Sequence, residues 1–248
     1  NQTIVYGLIV PFLLLLSSLE SINKMIENGK RNRNLAKIAT ERPRILNEGK
    51  DKRILVLGDS TAYGTGADKL EDTLTGRFAH DFPQVQVDNY AVNGSVTKDA
   101  LKQVEKAEIE KAKYNLVIIS TGGNDTWKMT KMDAIENSLR ELLARAKNIA
   151  GNNVVVIIYN NIASGPVFPL IVRPIILYRT NKINQIFMRV SRDFNIEAVP
   201  IFLEDERCPD NFFSHDGLHP SSEGYRIMYI RLWAVLYRRM YDFKLRDY

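Results

Sequence analysis

The chain is poor in the residues that build covalent or metal frameworks. Its 248 residues include one cysteine, Cys208, so no internal disulfide forms and no cysteine-rich zinc site exists. Cys208 sits beside Pro209 and Asp210, as a loop thiol would. Only three histidines occur, at 80, 215 and 219, which leaves few candidates for a neutral-pH base. Neither sign of charge dominates. The 34 Lys and Arg stand against 29 Asp and Glu, a net +5. The basic residues are spread along the chain without a nucleic-acid-binding motif, so no nucleic-acid partner is expected. Internal repeats and low-complexity tracts are also missing, which excludes solenoids and fibrous folds.

Long apolar runs are scarce too, with one exception. Residues 1–19 carry no charge, and Ile4 to Leu19 is almost wholly apolar. At about 1.5 Å per residue this run falls slightly short of a bilayer span. Three readings compete. A cleaved signal peptide needs a basic leader and a small-x-small cleavage site, and Ser17-Ser18 is a poor substitute. A core helix fits badly with Pro11 and with apolarity on every side. A membrane anchor, spanning or half-inserted, is the preferred reading. Lys24, Lys30, Arg31, Arg33 and Lys37 outnumber Glu20 and Glu27 in the flank. Such an excess favours a cytoplasmic catalytic domain, and a periplasmic or extracytoplasmic one is the alternative. Residues 20–50 then read as a basic connector, broken by Arg42-Pro43 and the turn Asn47-Glu48-Gly49.

From residue 51 to 248 the pattern alternates. Runs rich in Val, Ile and Leu at 53–57, 85–90, 115–120, 153–159 and 196–202 predict five strands covered on both faces. Helical patterns fall near 70–81, 97–111, 131–150, 172–194 and 221–241. In the third of these Ile135, Leu139, Leu142, Leu143 and Ala146 recur at helical spacing. The expected fold class is α/β: a doubly wound three-layer α/β/α domain with a central five-stranded parallel sheet, preceded by a hydrophobic helix.

Chemistry collects at the carboxyl ends of these strands, where open α/β sheets bind ligands. Ile54-Leu55-Val56-Leu57 runs directly into Gly58-Asp59-Ser60, delivering a serine to the sheet edge. A serine needs a base, an orienting acid and oxyanion donors before it reacts. Asp216 and His219 stand three apart across Gly217, so a tight turn can bring carboxylate to imidazole, and Pro220 opens the helix that anchors it. Reading His215 and His219 as metal ligands at i, i+4 requires a helix that Gly217 and Pro220 oppose, so no metal is expected. His80 reads as a surface residue near a helix end. Oxyanion donors are sought in the Ser60 N–H, in Asn93-Gly94-Ser95 after the second strand, and in Asn124 of Thr121-Gly122-Gly123-Asn124-Asp125 after the third.

In this order, Gly58-Asp59-Ser60, Gly94, Gly122-x-Asn124-Asp125 and Asp216-x-x-His219-Pro220 resemble the SGNH hydrolases, a branch of the GDSL esterases and lipases. The resemblance spans residues 53 to about 240. It implies a flavodoxin-like α/β/α sandwich, with Ser60 as nucleophile, His219 as general base and acid, and Asp216 orienting His219. It also implies an oxyanion hole of Ser60 N–H, Gly94 N–H and Asn124 Nδ2. Asp59 and Asp125 would hold the loops that carry Ser60 and Asn124. No cofactor is required. The implied reaction is hydrolysis of a carboxylic ester through an acyl-enzyme, with acyl transfer to a sugar or alcohol as the alternative and a non-catalytic binding protein as the remote one. The apolar, proline-punctuated segment 164–178 follows the fourth strand on the catalytic edge. One reading makes Val167, Phe168 and Leu170 a lip receiving a lipid-like acyl chain. The other is a helix start packed on the core, with Pro174 in its first turn. Aromatic residues 225, 229, 233 and 237 of the last helix read as core and rim, and the tail bearing Lys244 and Arg246 as a basic surface.

Overall fold

The computed structural model describes residues 27–159, 162–202 and 208–239. The apolar segment 4–19 and the basic tail beyond residue 239 lie outside them. Among the described residues no helix is long and apolar enough to cross a membrane.

Six strands form one sheet: β1 (Ile45–Leu46), β2 (Lys52–Gly58), β3 (Val85–Asn89), β4 (Leu116–Ser120), β5 (Val154–Ile158) and β6 (Glu197–Pro200). Their order is β1-β3-β2-β4-β5-β6. The five expected strands are all present and parallel. The sixth, β1, pairs antiparallel with β3 and makes the sheet mixed. Two residues are too short to carry a period-2 signal, so the sequence pattern missed it. The domain therefore begins before residue 51, and the part of the expected connector nearest the sheet belongs to the fold. Arg42 donates to the carbonyls of Gly64 and Ala67 at 2.8 and 2.6 Å. Arg44 donates to Asn89 O and Ala91 O. Upstream of them residues 27–40 form a helix, α1.

The other helices are α2 (Ser60–Tyr63), α3 (Leu74–Asp81), α4 (Ala100–Ile109), α5 (Gly123–Trp127), α6 (Met132–Ala150), α7 (Arg173–Asp193) and α8 (Ser222–Arg239). Side chains alternate across each strand, and this splits the core in two. Ile54, Val56, Ile118 and Ile157 face α3 and α8, where Phe78, Tyr225 and Leu232 meet them. Leu55, Leu57, Ile119 and Val156 face α4, α6 and α7, against Val104, Leu142 and Val190. Both sheet faces being covered explains why the parallel strands read as unbroken aliphatic runs.

Candidate active site

The nucleophile candidate stands where β2 stops. Gly58 holds φ +148 at the strand end, and an added Cβ would lie 1.8 Å from Ser120 O of the neighbouring strand. Only glycine passes there. Gln103 brackets the same residue, accepting from Gly58 N at 2.7 Å and donating to Gly58 O at 2.8 Å. Asp59 then caps α2, its Oδ1 accepting from Thr61 N at 3.0 Å, which leaves Ser60 at the first helical position. The N–H of Ser60 has no carbonyl to bond within so short a helix and is free for a ligand.

Ser60 Oγ lies 2.8 Å from His219 Nε2. His219 Nδ1 lies 2.6 Å from Asp216 Oδ2. A carboxylate only accepts, so Nδ1 carries the ring proton and Nε2 is left to accept from the serine hydroxyl. The turn carrying both residues is closed by Gly217 N to Ser214 O at 2.9 Å and by Ser214 N to His219 O at 2.8 Å. Asp216 Oδ1 accepts three more hydrogen bonds, from Ser214 Oγ, Leu218 N and His219 N, at 2.8, 2.9 and 3.0 Å. Asp216 and His219 are buried. Burial works against ionisation of Asp216. The hydrogen bond and charge of His219 and the two backbone N–H groups outweigh it and hold the carboxyl down at about 2. His215 is exposed, whereas His219 is buried. Among the described residues no group of three or more His, Cys, Asp or Glu could hold a metal ion.

Asn124, on α5, enters the same cavity, its Nδ2 donating to Ser95 O at 2.8 Å and keeping a second N–H available. Asp125 accepts from Thr97 N and Thr97 Oγ1, both at 2.8 Å, and ties the Asn124 loop to the segment after Gly94. Gly94 adopts φ +77 and is exposed. It lines a separate groove with Asn93 and Ser95 and does not line the serine cavity itself.

Asp59 behaves differently from Asp216. Burial dominates, only partly offset by Thr61 N–H, the charge of His219 and Gly123 N–H, and raises its carboxyl to about 7. A carboxyl that holds its proton more tightly when folded stabilises the fold fully below the unfolded value of about 4. That contribution is lost as pH rises through about 7. Asp59→Asn retains a capping oxygen. We expect it to abolish the decline in urea midpoint between about pH 4 and pH 7. A decline as steep as that of the wild type would refute this assignment.

The cavity beside Ser60 has a polar end made by Asp59, Ser60, Asn124 and His219. Its remaining wall is mainly apolar and includes Trp127, Tyr159 and Ile162. Tyr159 Oη contacts Ser120 Oγ, and burial, then the nearby Asp59 charge, raises its phenol well above the ordinary value. None of these three wall residues is marked by the sequence pattern, because isolated aliphatic and aromatic residues carry no signal that separates a cavity wall from core. The expected lip is displaced. Val167, Phe168 and Leu170 do not line this cavity. Val167 N donates to Gly217 O at 3.0 Å, which ties the segment to the turn carrying Asp216 and His219. Phe168 packs against Trp127 with centroids 6.0 Å apart, and Leu170 is 78% exposed.

A hydroxyl, an imidazole and a buried carboxylate in series, facing a donor-lined cavity, define the hydrolytic serine sites. Residues 56–227 match the model of the GDSL-like lipase/acylhydrolase family, and the chain belongs to that family: it is a serine hydrolase acting on ester bonds. No curated protein sequence matches the chain. Among solved structures it is similar to a lipolytic protein of the G-D-S-L family from Veillonella parvula. There the identity is 16%, with 75% of this chain and 99% of the other covered and a TM-score of 0.63. A lipase/acylhydrolase from Enterococcus faecalis is similar at 23% identity, 76% and 96% coverage, and TM-score 0.58. The psychrotrophic esterase of a Pseudoalteromonas species, in a structure inhibited by monoethylphosphonate, matches at 18% identity, 77% and 99% coverage, and TM-score 0.59. At these identities the likeness is one of fold.

Proposed function

We propose that the chain hydrolyses carboxylic esters of acyl or lipid-like type through an acyl-enzyme on Ser60. The observation that carries this reading is the unbroken hydrogen-bonded series Ser60 Oγ, His219, Asp216. Ser60 Oγ attacks the ester carbonyl as His219 Nε2 takes its proton. The carbonyl oxygen, now negative, is held by Ser60 N–H and Asn124 Nδ2, with Gly94 N–H as the third donor, which a bound substrate must bring into range. Asp216 keeps His219 in the Nδ1–H tautomer and stabilises the imidazolium. The imidazolium protonates the leaving alkoxide, the C–O bond breaks, and the alcohol departs. Water, deprotonated by the same nitrogen, then attacks the acyl carbon and regenerates Ser60. No step requires a metal or an organic cofactor. A fluorophosphonate probe is expected to modify one residue, Ser60, and peptide mapping reads this out. Modification elsewhere, or none, would remove the reading.

The uncharged run at 4–19 and its basic flank support a further element: the enzyme works at a membrane surface, with its catalytic domain on the cytoplasmic side. Full-length protein is expected to co-sediment with anionic vesicles and to lose this when residues 4–19 are deleted. Equal sedimentation of both forms would count against the anchor. Protection of the domain from external protease in sealed cells would support the side assigned.

A further inference from the structure

We infer that the apolar wall of the cavity beside Ser60 is a short-chain acyl pocket, which makes the substrate class esters of acids of about four to six carbons. This inference rests on the serine mechanism proposed above. The wall is built by three distant segments. Ile201 and Phe202 follow β6, Phe212 and Phe213 precede the Asp216–His219 turn, and Met228 comes from α8. Ile201, Phe202, Phe212 and Met228 are buried, and Phe213 is half-buried. The rings hold one another in place. Phe202 and Phe212 meet edge to face with centroids 5.0 Å apart, and Phe212 and Phe213 do the same at 5.1 Å. This wall is therefore preformed, and an apolar chain enters it without an ordering cost.

The division of the cavity decides which part of the ester goes where. Its hydrogen-bonding groups are gathered at the serine end, around Asp59, Asn124 and His219. A sugar or other polyol placed among Ile201, Phe212 and Met228 would lose its hydration without gaining partners. An alkyl chain loses nothing there and is removed from water. The acyl group is also the part that stays on the enzyme after the alcohol departs, so the apolar wall suits it. Length follows from volume. The cavity measures about 60 Å3. One water-sized group needs roughly 10–15 Å3 on this scale, so about four to six heavy atoms fit.

The test is a series of p-nitrophenyl acetate, butyrate, hexanoate and decanoate with the full chain. We expect kcat/KM to rise about fourfold per methylene buried, to peak at butyrate or hexanoate, and to fall at decanoate. Met228→Phe narrows the space beside the apolar wall and is expected to lower the hexanoate-to-acetate ratio about tenfold. Phe213→Ala opens the half-buried edge and is expected to raise the decanoate-to-hexanoate ratio about tenfold, which keeps the inference testable if the Met228 variant fails to fold. Acetate as the best wild-type ester, or wild-type ratios in whichever variants fold, would overturn the pocket. Absence of turnover on every ester together with an unlabelled Ser60 would instead overturn the mechanism beneath it.

Discussion

Ser60→Ala is expected to lower kcat on a p-nitrophenyl ester by about a millionfold, the scale on which loss of a serine nucleophile acts in an unrelated serine hydrolase. The remaining rate should still exceed the uncatalysed one by roughly a thousandfold, because the oxyanion donors and binding contacts survive. Folding should be almost untouched. Among the described residues the Ser60 hydroxyl has one hydrogen-bonding partner, His219 Nε2 at 2.8 Å, and its residue is half-buried, so removing it leaves neither a large cavity nor a buried charge. Combining Ser60→Ala with His219→Ala should cost hardly more than either alone, since the two act as one unit. Turnover of Ser60→Ala within about tenfold of wild type would end the assignment. Additive losses in the double variant would show that the serine and the imidazole serve separate steps.

The largest expected effect on stability lies two residues earlier. Gly58→Ala places a methyl 1.8 Å from Ser120 O, 2.6 Å from Ser120 C and 2.9 Å from Ala62 Cβ, at φ +148. Two of these obstacles are backbone atoms of the adjoining strand and cannot rotate away. The turn must shift, breaking the paired bonds from Gln103 and moving Ser60 away from His219. A loss of about 4 kcal/mol or more in urea-derived stability is expected, with activity lost alongside. Gly151→Ala is the control. That residue also has a positive φ, +62, but an added Cβ meets nothing within 4 Å. Strain alone should then cost about 1–3 kcal/mol. Equal losses for the two variants would mean that backbone conformation, not collision with β4, makes glycine necessary at position 58.

Much of this architecture is written locally. The five parallel strands are legible because each is a short aliphatic run buried on both faces, and that composition needs no knowledge of neighbours. Ser60, Asn124, Asp216 and His219 are legible for a related reason. Each lies in a turn whose glycine or proline is dictated by backbone geometry, so chemistry and turn signal coincide within a few residues. Other features escaped. The edge strand Ile45–Leu46 is defined only by its antiparallel pairing with Asp88 and Val87. The lip at Val167, Phe168 and Leu170 was inferred from hydrophobicity and position along the sheet edge, and neither property reports which way a loop turns. Val167 N bonds Gly217 O, some fifty residues further along the sequence, and Leu170 stands exposed.

The amino-acid sequence by itself thus determined the five parallel strands, the order of the functional turns and the candidate serine, imidazole, carboxylate and amide. All of these depend on residue type and on spacing within one segment. Only the tertiary structure decided that Asp216 is held ionised while Asp59, one residue from the serine, holds its proton to about pH 7. Likewise, only the fold brought Ile201, Phe212 and Met228 to one wall beside Ser60. Desolvation and cavity shape are sums over atoms contributed by distant segments. No single stretch of chain contains them.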